Sequence, residues 1–478
     1  MELLIPLSKS GEPLFRQIYQ GLREAILSGT LRRGGRIPST RDLADQLGVS
    51  RTIVVLAYDQ LAAEGFITGR GGSGTYVGES LNPPHTRASA AQASFRLSKF
   101  GEAAEEAAPK VDVPQKTEGK PVRCDFAYGR SDVELFPFET WRRLLLRNAR
   151  KASVRDLDYG PSNGSLALRD AIRAHLSRSR AVVCDSSQVI VVNGSQQGLD
   201  LIARVLINPG DPVAVEDPQY QGTREVLRAA GALIKPVPVD HDGLDPDALP
   251  KSARIVFVTP SHQFPTGAIL PLARRLALLQ WADRTGGVVV EDDYDGEFRY
   301  GGQALESLQG LDSGGRVIYM GTFSRTVFSA LRIGYLVVPK PLARAFTAAK
   351  WLSDRHTATL EQQTLADFIT GGMYERHLRS TRRRNALRRE ALLGAIRRHL
   401  AERVEVTGDG AGAHVVLWPR MSCREDLIVS KALSLGVRIY GIAPYFLKEP
   451  SAAGFLLGYA RLKEPEIREG IRRLAEVF

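Results

Sequence analysis

Cysteine is scarce. Cys124, Cys184 and Cys423 are the only three in 478 residues, and they are scattered without metal-ligand spacing. Neither a disulfide framework nor a zinc site is suggested, and no metal is expected. Long apolar runs are missing as well: no stretch approaches a membrane span. The amino terminus, MELLIPLSKSGEP, lacks a basic segment followed by an apolar core. These absences predict a cytosolic chain with no membrane partner. Acidic residues fall short of basic ones, 53 against 64, leaving a net charge of +11, which favours an anionic partner. Only +2 of that excess lies in residues 1–78 and none in 79–122. The rest sits further on, partly in Arg379, Arg382, Arg383, Arg384, Arg388 and Arg389. That run reads first as a solvated helix face, with a second DNA-contacting surface as the alternative.

What is present is most telling between Pro38 and Val77. Ser39 with Asp42 three residues on is a helix start signal, and Leu43, Ala44 and Leu47 supply one apolar face. Gly48 stops that helix, and Ser50 caps the next. In the second helix Val54, Ala57, Tyr58 and Leu61 recur at helical spacing. Ser50, Arg51 and Thr52 are left at its outward tip. A helix entering the major groove needs this division of labour. Gly65 ends the helix, and two short strands follow, joined by Gly69-Arg70-Gly71-Gly72-Ser73-Gly74. This hairpin is a wing able to lie along a phosphate backbone. A preceding helix buries Leu14, Ile18, Leu22 and Ala25-Ile26 and ends at Gly29.

Residues 13–77 closely resemble the winged head of the GntR family of bacterial repressors. The resemblance implies that Arg41, Ser50, Arg51 and Thr52 contact phosphates and bases of double-stranded operator DNA. It implies that Arg70, Gly71 and Gly72 belong to the wing.

A head of 78 residues leaves 400 to explain, and the hydrophobic share of 43% is ample for a large core. From Glu79 to about Lys120 the chain is rich in Ala, Pro, Ser and charge with no sustained period, predicting a flexible linker over 79–122 with a short helix near residues 101–108. Beyond it, strands and helices alternate. Val189–Val192, Pro212–Val215, Arg254–Val258, Gly287–Val290, Val317–Met320 and Ile333–Val338 read as strands. Ser195–Leu206 and Leu272–Arg284 read as helices. This predicts an α/β domain with a mostly parallel sheet over 123–478. Its large lobe spans about 155–345, and a smaller α+β lobe about 346–478.

Several motifs in this part point to one cofactor. Asn193-Gly194-Ser195-Gln196-Gln197 follows a strand and opens a helix, where free N–H groups favour a phosphate. Asp292 and Tyr294, two apart near the end of a strand, share one face. Tyr220 is a flat ring at the mouth of another strand. Gly321-Thr322-Phe323-Ser324 and Arg332 add hydroxyls and a cation. In this order they resemble the fold-type I aminotransferases, which use pyridoxal phosphate. Head and domain together resemble the MocR subfamily of GntR regulators. The match extends through Tyr159-Gly160, Glu216–Tyr220, Ser261–Gly267 and Glu291–Arg299. The resemblance implies that Ser195, Gln196, Thr322, Ser324 and Arg332 hold the phosphate and Tyr220 stacks on the ring. Asp292 pairs with the ring nitrogen and Tyr294 reaches the ring oxygen.

One position departs from the family. Its aldimine-forming lysine belongs directly after Gly321-Thr322-Phe323-Ser324, and this chain has Arg325 there, with Leu331-Arg332-Ile333-Gly334-Tyr335 in register. A guanidinium stays charged at working pH and is no nucleophile here. Ala453 stands where the family usually carries an arginine for a substrate carboxylate. Three readings follow. The first is a non-enzymatic, homodimeric transcription factor whose large domain is a scaffold or a sensor of an unknown effector. The second is a regulator still binding pyridoxal phosphate non-covalently. The third is an aminotransferase with a vestigial head, against which Arg325 speaks.

Overall fold

A computed structural model describes residues 5–8, 11–71, 73–79, 96–111, 122–300 and 305–478. The chain forms two compact units, residues 1–96 and 97–478.

The first unit packs α1 (Leu14–Leu27), α2 (Thr40–Leu47) and α3 (Arg51–Ala63) with a small antiparallel sheet. Its strands are β1 (Arg36–Ile37), β2 (Ile67–Arg70) and β3 (Gly74–Val77), in the order β1-β3-β2. The helical spacing explains the core: Ile18, Leu22 and Ile26 of α1 meet Leu43, Val54, Ala57 and Leu61, all buried. Gly48 carries α2 into the turn with φ 64°, a left-handed conformation that a side chain resists. The Ser39 hydroxyl accepts from the Asp42 amide at 3.2 Å, so the start signal in the sequence is a working cap.

The second unit opens with α4 (Lys99–Val111), which covers the short helix expected near residues 101–108 and is tied to this unit by a Glu106–Arg228 ion pair of 2.9 Å. After β4 (Cys124–Asp125), α5 (Phe138–Lys151) and α6 (Leu166–Arg180) comes the large sheet. Its members are β5 (Val189–Val192), β6 (Pro212–Asp217), β7 (Leu233–Asp240), β8 (Gly243–Leu244), β9 (Ile255–Val258), β10 (Val288–Asp293), β11 (Val317–Thr322) and β12 (Gly334–Val337). They lie in the order β5-β12-β11-β10-β9-β6-β7-β8. The centre, from β11 to β7, is parallel, whereas β12 runs antiparallel to both its neighbours. Crossover helices α7 (Ser195–Leu206), α8 (Gln221–Ala229) and α9 (Leu272–Thr285) help to cover it. The fully buried strands β5, β9 and β12 match their unbroken apolar sequence.

The carboxy-terminal part adds α11 (Ala343–Asp354), α12 (Thr359–Thr370) and the 27-residue α13 (Met373–His399), after the short α10 (Leu308–Leu311). A four-stranded antiparallel sheet follows. It is made of β13 (Val404–Thr407), β14 (His414–Pro419), β16 (Tyr440–Gly441) and β17 (Phe455–Gly458). Around it lie α14 (Glu425–Ser434), β15 (Val437–Arg438) and α15 (Glu464–Leu474). On the arginine-rich α13, Arg388 is buried against Asp132 at 2.6 Å and Arg389 pairs with Asp409, while Arg379, Arg383 and Arg384 are exposed. No helix among the described residues is long and apolar enough to cross a membrane.

Candidate functional site

In the first unit the tip of α3 presents what its sequence suggests. Ser50, Arg51 and Thr52 are exposed there, on the side opposite buried Val54, Ala57, Tyr58 and Leu61. Arg51 Nε donates to Thr40 Oγ1 at 3.3 Å, which links the starts of α2 and α3. Arg41, also exposed, lies on the first turn of α2. In the wing, the Arg70 guanidinium lies over the Tyr76 ring at 5.0 Å and pairs with Glu79 at 2.5 Å. Both partners of that pair are well exposed, so the pair is weak and an incoming phosphate competes with Glu79 on even terms. Gly71 is exposed, and Gly72 falls outside the described residues.

In the second unit the carboxyl ends of the parallel strands converge, the usual crevice of such sheets. Gly194 precedes α7 with φ 78°, and a Cβ there would lie 2.7 Å from Arg332 Nη2. Arg332 itself has φ 53° and donates to the Asn193 carbonyl at 3.1 Å. A strained backbone thus holds a guanidinium over the start of α7, where Ser195 and Gln196 stand: a cation and free helix N–H groups facing one spot. Thr322, buried at the end of β11, accepts from the Ser324 amide at 3.1 Å. Tyr220 heads α8 partly exposed, its ring edge-on to Phe264 at 6.3 Å. Gln196 Nε2 reaches the Gly222 carbonyl at 3.5 Å, close to that ring.

Asp292 lies one residue from the end of β10, and its Oδ1 is buried with no hydrogen-bond partner. Burial, with the charge of Asp293, pushes its pKa up to about 7, against the opposing pull of Arg325. A buried acceptor without a donor is costly, and a protonated ring nitrogen would satisfy it. Tyr294, next in the motif, is buried and donates its hydroxyl to the His262 carbonyl at 2.8 Å.

Arg325 reaches the same region. Its guanidinium carbon lies 4.4 Å from the centroid of the Tyr128 ring, a cation–π contact. Gly129 makes room for it, since a Cβ there would meet Nη1 at 2.8 Å. Burial works against the Arg325 charge, but Tyr128, Asp295 and Tyr294 outweigh it and the pKa is raised. Burial raises the Tyr220 pKa, and the charges of Arg325, Asp292 and Arg332 act on it as well, so all three lie within electrostatic reach of its ring. The cleft opens into a space of about 950 Å³ lined in part by Tyr128, Tyr220, Tyr445, Arg130 and Arg461. The last two are functional candidates that the sequence reading passed over; nothing in their local spacing marks them. The orphaned Asp292 oxygen and the Gly194–Arg332 cradle fit the nitrogen and phosphate of pyridoxal phosphate, whereas Arg325 offers no nucleophile.

Comparison with known proteins agrees with this fold. Residues 14–77 match the model of bacterial regulatory proteins of the gntR family, and residues 127–474 that of aminotransferase class I and II. The chain is 39% identical to the probable rhizopine catabolism regulatory protein MocR of Rhizobium meliloti, over 98% of this chain and 94% of that protein. It is 31% identical to the pyridoxine biosynthesis transcriptional regulator PdxR of Corynebacterium glutamicum, over 95% and 93%. Among solved structures it resembles a kynurenine aminotransferase of Pyrococcus horikoshii, with a TM-score of 0.70 and 28% identity, covering 80% of this chain and 95% of that one. The chain belongs to the MocR subfamily of GntR-family transcriptional regulators, DNA-binding proteins with a winged head joined to an aminotransferase-like domain.

Proposed function

We propose that this regulator senses its effector through a cleft that binds pyridoxal phosphate without a covalent bond and carries out no transamination. The observation that carries the reading is the coexistence of Arg325, at the position where the family resemblance expects the lysine, and Asp292, whose buried oxygen awaits a donor. When bound, the cofactor supplies an aldehyde and an electron-withdrawing ring. In this chain Ser195, Gln196, Thr322, Ser324 and Arg332 hold its phosphate, Asp292 keeps the ring nitrogen protonated, and Tyr220 lies against the ring. Arg325 contributes charge and hydrogen bonds only. Arg130 and Arg461 favour an anionic effector in the outer cleft. On the other unit, Arg51 and Thr52 read base edges while Arg41, Ser50 and the Arg70–Gly72 wing hold phosphates. The protein acts as a homodimer, so that two heads read two half-sites.

Titrating the purified full-length chain with pyridoxal phosphate and following its visible spectrum tests the reading. Saturable binding that is lost on dialysis is expected. No spectral change at any concentration would overturn it.

A further inference from the structure

His262, Asp295 and His414 come from three separate segments: the loop after β9, the turn after β10 and the first residue of β14. All three are buried, and one ligand atom from each lies within 4.8 Å of the other two. His414 Nε2 is 3.0 Å from the Pro265 carbonyl, and His262 Nε2 is 3.3 Å from the Gly408 carbonyl. A carbonyl only accepts, so each Nε2 carries a hydrogen, and in the neutral ring each Nδ1 presents a lone pair. The His414 Nδ1 is buried with no partner. The His262 Nδ1 is 3.0 Å from Asp295 Oδ2: it donates to the carboxylate when it carries a proton, and the two are facing acceptors when it does not. The Tyr294 hydroxyl is 3.1 Å from this nitrogen but closer to the His262 carbonyl, at 2.8 Å. With both rings neutral, three acceptors converge in this buried space, and the His414 nitrogen has no donor whichever way His262 is protonated, which is costly unless a cation joins them.

We propose that His262, Asp295 and His414 form a binding site for a divalent transition metal of the zinc type. Two imidazole nitrogens and one carboxylate oxygen are a donor set that such ions take, and ligating histidines commonly donate their second N–H to a carbonyl, as both do here. Gly412 keeps the space open, because a Cβ there would lie 2.4 Å from Asp295 Oδ2 and 2.5 Å from His262 Nδ1. Tyr294 Oη stands beside the three as a further oxygen. The charge of Arg325 is felt at His414 and opposes a cation; the carboxylate of Asp295 offsets it. A proton shared between His262 and Asp295 relieves only that pair and leaves the His414 nitrogen unsatisfied. The site borders the pyridoxal phosphate cleft through Tyr294 and Arg325 but does not depend on that reading.

The test uses tag-free, full-length protein stripped with a chelator and titrated with Zn²⁺ against a chromophoric competitor. One equivalent per chain should stay bound through gel filtration. Changing outer partners of such sites commonly weakens binding 10–100-fold, so losing a ligand in His414→Gln or Asp295→Asn should cost at least about ten-fold. His241→Ala, at an exposed histidine, should change nothing. If a variant fails to fold, Co²⁺ on the wild type decides: visible absorption of low-coordinate nitrogen–oxygen ligation supports the site. A folded wild type that retains no Zn²⁺, shows only the spectrum of hydrated Co²⁺, or binds unchanged in both folded variants overturns it.

Discussion

At the scale of single residues, the proposed function separates two kinds of DNA contact in the head. Arg51 sits at the tip of the helix placed to enter the groove, and Arg41 on the helix behind it. A two-pronged arginine–guanine contact carries about 1–3 kcal/mol of discrimination. Arg51→Ala should therefore flatten the difference between operator and scrambled duplex in a binding titration. Arg41→Ala should weaken both alike and reduce the salt dependence. Equal affinity of the wild type for its own promoter region and for scrambled DNA would contradict this assignment. Under the proposed function Arg325 follows the same logic in the cleft, where one side chain would decide between covalent and reversible capture of a ligand.

At the scale of elements, β10 concentrates acid where the cleft lies. Glu291, Asp292 and Asp293 follow one another at its end, with Glu216 on β6. Burial, first of all causes, raises Glu291, Asp292 and Glu216 each to about 7. In the unfolded chain these groups lose their protons near 4. Between roughly 4 and 7 the folded chain holds more protons than the unfolded one, so stability falls as pH rises through that window. The ligand-free protein should melt at a lower temperature at pH 8 than at pH 5.5. Asp292→Asn should raise the Tm at pH 8 and shrink the difference; an unchanged slope would show that Asp292 is not held protonated.

The elements also show what could be read from sequence. The head was legible almost residue by residue, because caps, glycine stops and the 3.6-residue spacing all lie within one local stretch. In the large unit, β5, β9 and β11 were legible as apolar runs. The strand β7 was not, since Pro236 and Pro238 disguise it; it is tolerated where only the two-residue β8 pairs beyond it, near its end. The antiparallel direction of β12 could not be seen either, because direction lies in the connections. Ser195, Asp292 and Arg332 could be proposed from order and resemblance. The His262–Asp295–His414 group could not, because it forms only when three distant segments meet.

At the scale of the whole molecule, the second unit exposes apolar side chains that a lone copy gains nothing by showing. Val154 is 86% exposed and Leu352 77%, with Leu157, Tyr159 and Trp351 also open. Arg355 spans this ground, lying over both the Tyr159 and Trp351 rings. Exposed apolar side chains of this kind suit an interface, and under the proposed function a second copy of this chain is the partner. A fragment of residues 97–478 should have twice its chain mass by light scattering, and Leu157→Glu combined with Leu352→Glu should halve it. A monomeric fragment beside a dimeric isolated head would place the assembly elsewhere.

The most direct test of the account is borohydride reduction in the presence of pyridoxal phosphate, followed by peptide mass spectrometry, on the wild type and on Arg325→Lys. The wild type should carry no pyridoxyl group on any lysine of the cleft. The variant, with Asp292, Tyr220 and Arg332 in place, should carry one on residue 325. A pyridoxyl group on a cleft lysine of the wild type, or none on residue 325 of the variant, would contradict the account.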